Sequence, residues 1–115
     1  MKVFFLVLLA CFSNWCFAGN LVPIKAKVTR VSGHTSSFTT YTESEKGVFF
    51  IFMEDLPNAC GDGMGRIAIS HEHPLFETVV SVALLARTTG EPIEMAYIDK
   101  CTVRENSWDF GSFTY

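Results

Sequence analysis

The chain has 115 residues, a formal net charge of −3, and a composition that is 49% hydrophobic and 14% aromatic. That length admits one small domain with a modest core. Mild acidity without a basic stripe argues against nucleic acid as a partner, and no apolar run reaches membrane-spanning length, so an integral membrane protein is not expected.

The first residues read as an export signal. Met1-Lys2 is a short positive start, Val3–Ala10 (VFFLVLLA) is an apolar stretch too short to span a bilayer, and Cys16–Ala18 (CFA) offers a small-residue cleavage site before Gly19. The pattern predicts a secretory signal peptide over residues 1–18 and a single domain over 19–115, delivered to the periplasm or outside the cell. A competing reading exists: LLAC at Leu8–Cys11 looks like a bacterial lipobox, which would leave Cys11 as a lipidated N-terminus, although the apolar stretch before it is short for that role.

Cleavage removes Cys11 and Cys16 and leaves Cys60 and Cys101. In an oxidising compartment those two are expected to pair. Closing a loop of that length is worth roughly 4 kcal/mol in the chain-entropy model. The rival reading, two free thiols at a redox or metal site, lacks the Cys-x-x-Cys spacing that would support it.

Leu21–Val31 (LVPIKAKVTRV) alternates, with Ile24, Ala26 and Val28 on one face and Lys25, Lys27 and Thr29 on the other, which predicts one half-buried strand. Ser32–Lys46 is a long polar connection. Gly47–Met53 (GVFFIFM) is a short aromatic apolar run, expected to be a strand buried on both faces. Glu54–Gly65 is turn chemistry, and Arg66–Ser70 (RIAIS) is a further short strand. A helix is predicted over Pro74–Thr89, with the stripe Leu75, Val79, Val82 and Ala86 widened by Phe76, Ala83 and Leu84. Pro74 suits its first position and Gly90 its C-terminal cap. Pro92–Ile98 alternates again, burying Ile93, Met95 and Tyr97. In the closing segment Thr102–Tyr115, Trp108 and Phe110 share one face, Phe113 and Tyr115 take the other, and Gly111 marks a bulge.

The order is three strands, a helix and two strands (βββαββ), a mainly β chain with one helix. That connectivity fits an oligonucleotide/oligosaccharide-binding (OB) fold, a five-stranded barrel with the helix plugging one end.

The block Gly65–Cys101, a short strand, a helix ending in Ala86-x-x-x-Gly90, a strand carrying Tyr97 and then Cys101, resembles the B subunit of subtilase cytotoxin and the small secreted proteins similar to it. The resemblance implies an OB-type fold, bacterial export, a homo-oligomer (a pentamer), a cell-surface glycan or protein partner, and a toxin A subunit. The serine that helps hold the sugar in that family has no counterpart in Val22–Lys27 (VPIKAK), so sugar specificity does not carry over with the fold.

Four stretches invite a chemical reading. In Ser70–Pro74 (SHEHP), His71 and His73 flank Glu72, which suggests a metal or an acid–base pair. A metal site needs three or four converging ligands, and no further His or Cys lies nearby, so a polar approach to the helix explains the motif better. Gly61–Gly65 (GDGMG) lacks the lysine and the following helix of a phosphate loop and reads as a turn. Thr35, Ser36, Ser37, Phe38, Thr39, Thr40 and Tyr41 combine hydroxyls with aromatic rings, the pairing that binds sugars; the plain alternative is an ordinary flexible loop. Trp108, Phe110, Phe113 and Tyr115 supply a subunit interface if part of that strip is exposed.

No nucleophile, triad or ligand set can be assembled, so a metal-dependent hydrolase finds no support. No catalytic residue, metal or cofactor is expected. The sequence points to a secreted, non-enzymatic binding module resembling a toxin B subunit. The alternative is a stand-alone periplasmic interaction or structural protein of the same fold.

Overall fold

A computed structural model describes residues 20–35 and 46–115. The segment expected to be a signal peptide, with Cys11 and Cys16, and residues Ser36, Ser37, Phe38, Thr39, Thr40 and Tyr41 lie outside the described residues. Seven elements follow one another: β1 Leu21–Ala26, β2 Val28–Thr35, β3 Gly47–Met53, β4 Arg66–Ser70, α1 Phe76–Thr89, β5 Ile93–Ile98 and β6 Trp108–Thr114. The strands form one six-stranded sheet in the order β1-β5-β6-β4-β3-β2, antiparallel except for the β4–β6 pair.

The chain is mainly β with one helix, as expected, but the sheet is open and six-stranded rather than a closed five-stranded barrel, and the order βββαββ gains a strand before the helix. The extra strand comes from the first segment, which divides at Lys27. Ala26 pairs with Ile93 of β5, whereas Val28 pairs with Met53 of β3. Two residues that flank one lysine therefore belong to strands at opposite ends of the sheet. Adjacent Cα atoms sit about 3.8 Å apart, so the two end strands meet at this corner and the sheet must curl to allow it. The exposed Lys27 turns there, and its carbonyl accepts the Glu54 amide at 3.1 Å.

Alternation decides the two faces. Phe49, Ile51 and Met53 of β3 point into the main core with Ile67, Ile69, Met95, Tyr97, Trp108 and Phe110. Val48 and Phe50, with Phe52 partly buried, point the other way and form a second cluster with Ala68 and Val103. Both faces of β3 are thus covered, as its unbroken apolar sequence predicts.

The helix closes the main core with Val79, Ala83 and Ala86, small residues that let its backbone approach the sheet. It begins two residues later than expected. The His73 carbonyl accepts the Phe76 amide in a tight turn across Pro74, and α-helical bonding starts only with the Val79 amide on Leu75. Leu75 and Leu84, expected in the buried stripe, are 42% and 46% exposed. At the other end Gly90 adopts φ 74° and donates its amide to Ala86, the left-handed cap that a glycine accepts without strain.

Gly111 is the anticipated bulge: Ala96 pairs with Ser112 and Tyr97 with Phe110, leaving Gly111 as an extra residue. A side chain there would press on the Leu21 side chain and on the Ala96 carbonyl, at 2.4 and 2.8 Å from its Cβ. The bulge resets the alternation. Phe113, expected on the face opposite Trp108 and Phe110, instead packs against the same core.

Cys60 and Cys101 form the expected disulfide, with Cα atoms 6.5 Å apart. It ties the β3–β4 connection to the β5–β6 connection. The Met64 amide, bonded to the Asn106 carbonyl at 3.0 Å, fastens the same two loops beside it.

Candidate functional site

The outward face of β2, β3 and β4 carries side chains in rows set by the strand register. His34, Val48 and Ser70 form one row, Ser32, Phe50 and Ala68 the next, and Arg30, Phe52 and Arg66 the third. The rows have distinct chemistry. At one end the surface is hydroxylated and apolar, and at the other it is cationic over aromatic rings.

A loop from β5 to β6 covers the middle of this face, and a buried carboxylate shapes it. Asp109 points outward from β6 and accepts the amides of Thr102 and Val103 at 2.8 and 3.1 Å, together with the Thr102 hydroxyl. Those bonds satisfy a charge that is only 7% exposed and lay Val103 over Phe50 and Ala68.

Between that loop and the β4–α1 turn lies an open cleft of about 230 Å³, lined by Lys46, Val48, Ser70, Glu72, Thr102 and Val103. Lys46 Nζ and Glu72 Oε2 are 3.4 Å apart, both well exposed, an arrangement of little energetic weight that still places a cation and a carboxylate at the rim. Ser70 and Thr102 bring hydroxyls, and Val48 and Val103 bring apolar surface. Small polyhydroxylated ligands are held by that combination of charged and hydroxylated edges over an apolar floor.

The SHEHP motif falls partly within this site, and its histidines serve the backbone. His71 Nδ1 accepts the Gly47 amide at 2.8 Å, which secures the start of β3 against the turn. His73 Nδ1 accepts the Leu75 amide at 3.0 Å, satisfying one of the loose donors ahead of the helix, and its ring meets Phe110 edge-on at 5.4 Å. Each of these bonds requires an unprotonated Nδ1. Among the described residues no group of three His, Cys, Asp or Glu side chains is placed to hold a metal ion. Ser70 and Glu72 are the members of the motif that line the cleft.

At the cationic end, Arg66 is 8% exposed and stacks 3.7 Å from the Phe50 ring centroid. Its Nε donates to Ser107 Oγ at 2.7 Å and its Nη2 to Asn106 Oδ1 at 3.0 Å. Arg30 lies 4.1 Å from the Phe52 centroid. Burial, reinforced by the like charges of Arg104 and Arg30, lowers the pKa of Arg66 below the usual guanidinium value. The guanidinium stays charged all the same.

Of the residues singled out from sequence for sugar binding, Thr35 ends β2, half-buried and paired with Gly47. The chain leaves the described structure after Thr35 and returns at Lys46, which lines the cleft. The aromatic tail divides. Trp108 and Phe110 are 8% and 5% exposed and belong to the core. Trp108 stacks on Tyr97 and donates its indole N–H to the Pro57 carbonyl at 2.9 Å. Phe113 is half-buried, and Tyr115, 53% exposed, is what the tail offers to solvent.

The Arg30–Phe52–Arg66 row escaped sequence reasoning, because Arg30 and Arg66 lie in separate strands that meet only through β3. A signal was present: a strand buried on both faces needs cover on its outer side, and an arginine heading an otherwise apolar strand can supply it with its stem and its flat guanidinium.

No helix among the described residues is long and apolar enough to cross a membrane. Compared with known protein families, curated proteins and solved structures, the chain matches none.

Proposed function

We propose that the protein is a secreted, non-enzymatic binding module of OB type that takes a polyhydroxylated ligand, a glycan, on the outward face of β2–β4. The observation that carries this reading is the cleft, in which the Ser70 and Thr102 hydroxyls and the Lys46–Glu72 pair surround an apolar floor. The OB assignment draws on the Lys27 corner, where one bent segment serves both ends of a curled sheet, and on the parallel β4–β6 pair. Export is supported by the disulfide. The likeness of Gly65–Cys101 to toxin B subunits motivates two further elements of the proposal, a homo-oligomer such as a pentamer and an A-subunit partner.

A glycan array probed with the purified protein tests the reading. Binding to a defined set of glycans, weakened several-fold by Thr102→Val and by Glu72→Gln, is expected. Silence across the array would leave the stand-alone periplasmic interaction protein as the better account. Native mass measurement separately tests the oligomer, and a strictly monomeric protein ends the pentamer proposal.

A further inference from the structure

We propose that Arg30 and Arg66 form an oxyanion-binding site at the cationic end of the same face, taking a carboxylate, sulfate or phosphate group. The inference rests on reading this face as the ligand surface and adds a second subsite beside the neutral cleft.

Geometry carries it. In the register of the sheet, Arg30 and Arg66 flank Phe52 on either side, and each guanidinium rests on an aromatic ring, Arg30 on Phe52 and Arg66 on Phe50. Stacking fixes the guanidinium planes and leaves their edges as hydrogen-bond donors, the form in which arginine meets planar or tetrahedral oxyanions. Arg66 is further locked by Ser107 and Asn106, both neutral. Neither arginine has a carboxylate partner among the described residues. Among the described residues no fully buried side-chain polar atom lacks a hydrogen-bond partner, so Nη1 of Arg66, which makes none, is not sealed from solvent.

The charge arrangement points the same way. The protein is acidic overall, yet it gathers Arg30, Arg66 and Arg104 closely enough for their repulsion to register at Arg66. Packing alone does not call for that: methionine or leucine would cover Phe50 without burying a positive charge among others. A bound oxyanion relieves the repulsion and uses the vacant donor edges.

Titration of the purified protein with sodium sulfate, sodium phosphate and sodium glutamate, each against sodium chloride at matched ionic strength, tests the site. The readouts are the arginine Nε–H resonances and the melting temperature. Saturable shifts of the Arg66 Nε–H signal are expected with at least one oxyanion and not with chloride. Arg30→Gln, at an exposed position that leaves the fold intact, should weaken that response at least fivefold. Arg66→Lys, which keeps the charge and loses the flat fork, should abolish the oxyanion-dependent rise in melting temperature and the shift of the Arg30 Nε–H signal. Comparing the three salts tells carboxylate from sulfate and phosphate preference. Shifts no larger than those with chloride, or an undiminished response in Arg30→Gln, overturn the site. Glycan binding that persists in Arg30→Gln while all three salts are inert would remove this site and leave the binding module standing.

Discussion

Arg66 and Phe50 are stacked at 3.7 Å on the outer side of the sheet, and the guanidinium caps a ring that is wholly inaccessible to solvent. A charged residue thus serves as the cover of a small apolar cluster. Arg66→Ala should destabilise the protein by about 3 kcal/mol, combining lost hydrogen bonds from a charged donor with the uncovered ring. Arg66→Met keeps the cover and should recover part of that loss. Urea denaturation checks both, and equal stability of the two variants would show that the cover is unimportant.

Reducing the Cys60–Cys101 bridge, or replacing both residues by serine, should remove roughly 4 kcal/mol on the loop-entropy account. The same change should loosen the loop that walls the cleft, because residues 102–107 follow Cys101 directly. Hydrogen exchange at Thr102 and Val103 should quicken more than exchange in the core strand β4.

Gly63 stands where two loops touch. A Cβ there would fall 2.2 Å from the Ala59 carbonyl and 2.7 Å from that of Asn106, both backbone atoms with little room to move. Gly63→Ala should therefore cost about 2–3 kcal/mol, in the range of overpacking a tight site. Gly61→Ala meets no neighbour, although its φ of 85° is unfavourable for alanine, and should cost only about 1 kcal/mol.

His73→Ala removes the acceptor for the Leu75 amide and the edge contact with Phe110, and should cost about 1–2 kcal/mol, the size of a lost helix cap. His71→Ala frees the Gly47 amide at a more exposed position and should cost less. Calorimetric titration with zinc should give no saturable heat, because each imidazole already commits Nδ1 to the backbone; tight binding that both substitutions abolish would overturn that assignment.

Burial, helped by the negative charge of Asp99, raises the pKa of Tyr97 above its usual value near 10.0. Above the unfolded pKa, the unfolded chain loses this proton while the folded chain still holds it. Stability should therefore fall as pH rises from about 10 toward the folded value. Tyr97→Phe should flatten that part of the stability curve, and an unchanged alkaline slope would mean that another group sets it.

Much of this molecule is written in local patterns. The both-sided burial of Gly47–Met53, the left-handed cap at Gly90 and the bulge at Gly111 follow from residue type and spacing. The break at Lys27 does not, because Ala26 and Val28 remain correctly alternated across it and periodicity carries no mark of a change of partner. The helix starts later than the pattern predicts because Pro74 fits a tight turn as well as a first helical residue. Phe113 lies on the other face from the one that unbroken alternation predicts, because the extra residue at Gly111 restarts the count. The cleft and the arginine row depend on side chains brought together from distant segments, which only the register of β2, β3 and β4 aligns.

The corner at Lys27 has a consequence for how the chain acquires its shape. β2, β3 and β4 are consecutive neighbours in the sheet, whereas β1, among the described residues, pairs only with β5, some seventy residues further on. Contacts of such separation form late, after the entropy of a long closure has been met. As the chain emerges from a ribosome or a translocation pore, the segment after Lys27 can begin to assemble while the one before it waits for almost the whole sequence. Lys27 is thus expected to be a boundary in time as well as in space, with β1 the last strand to dock on the sheet.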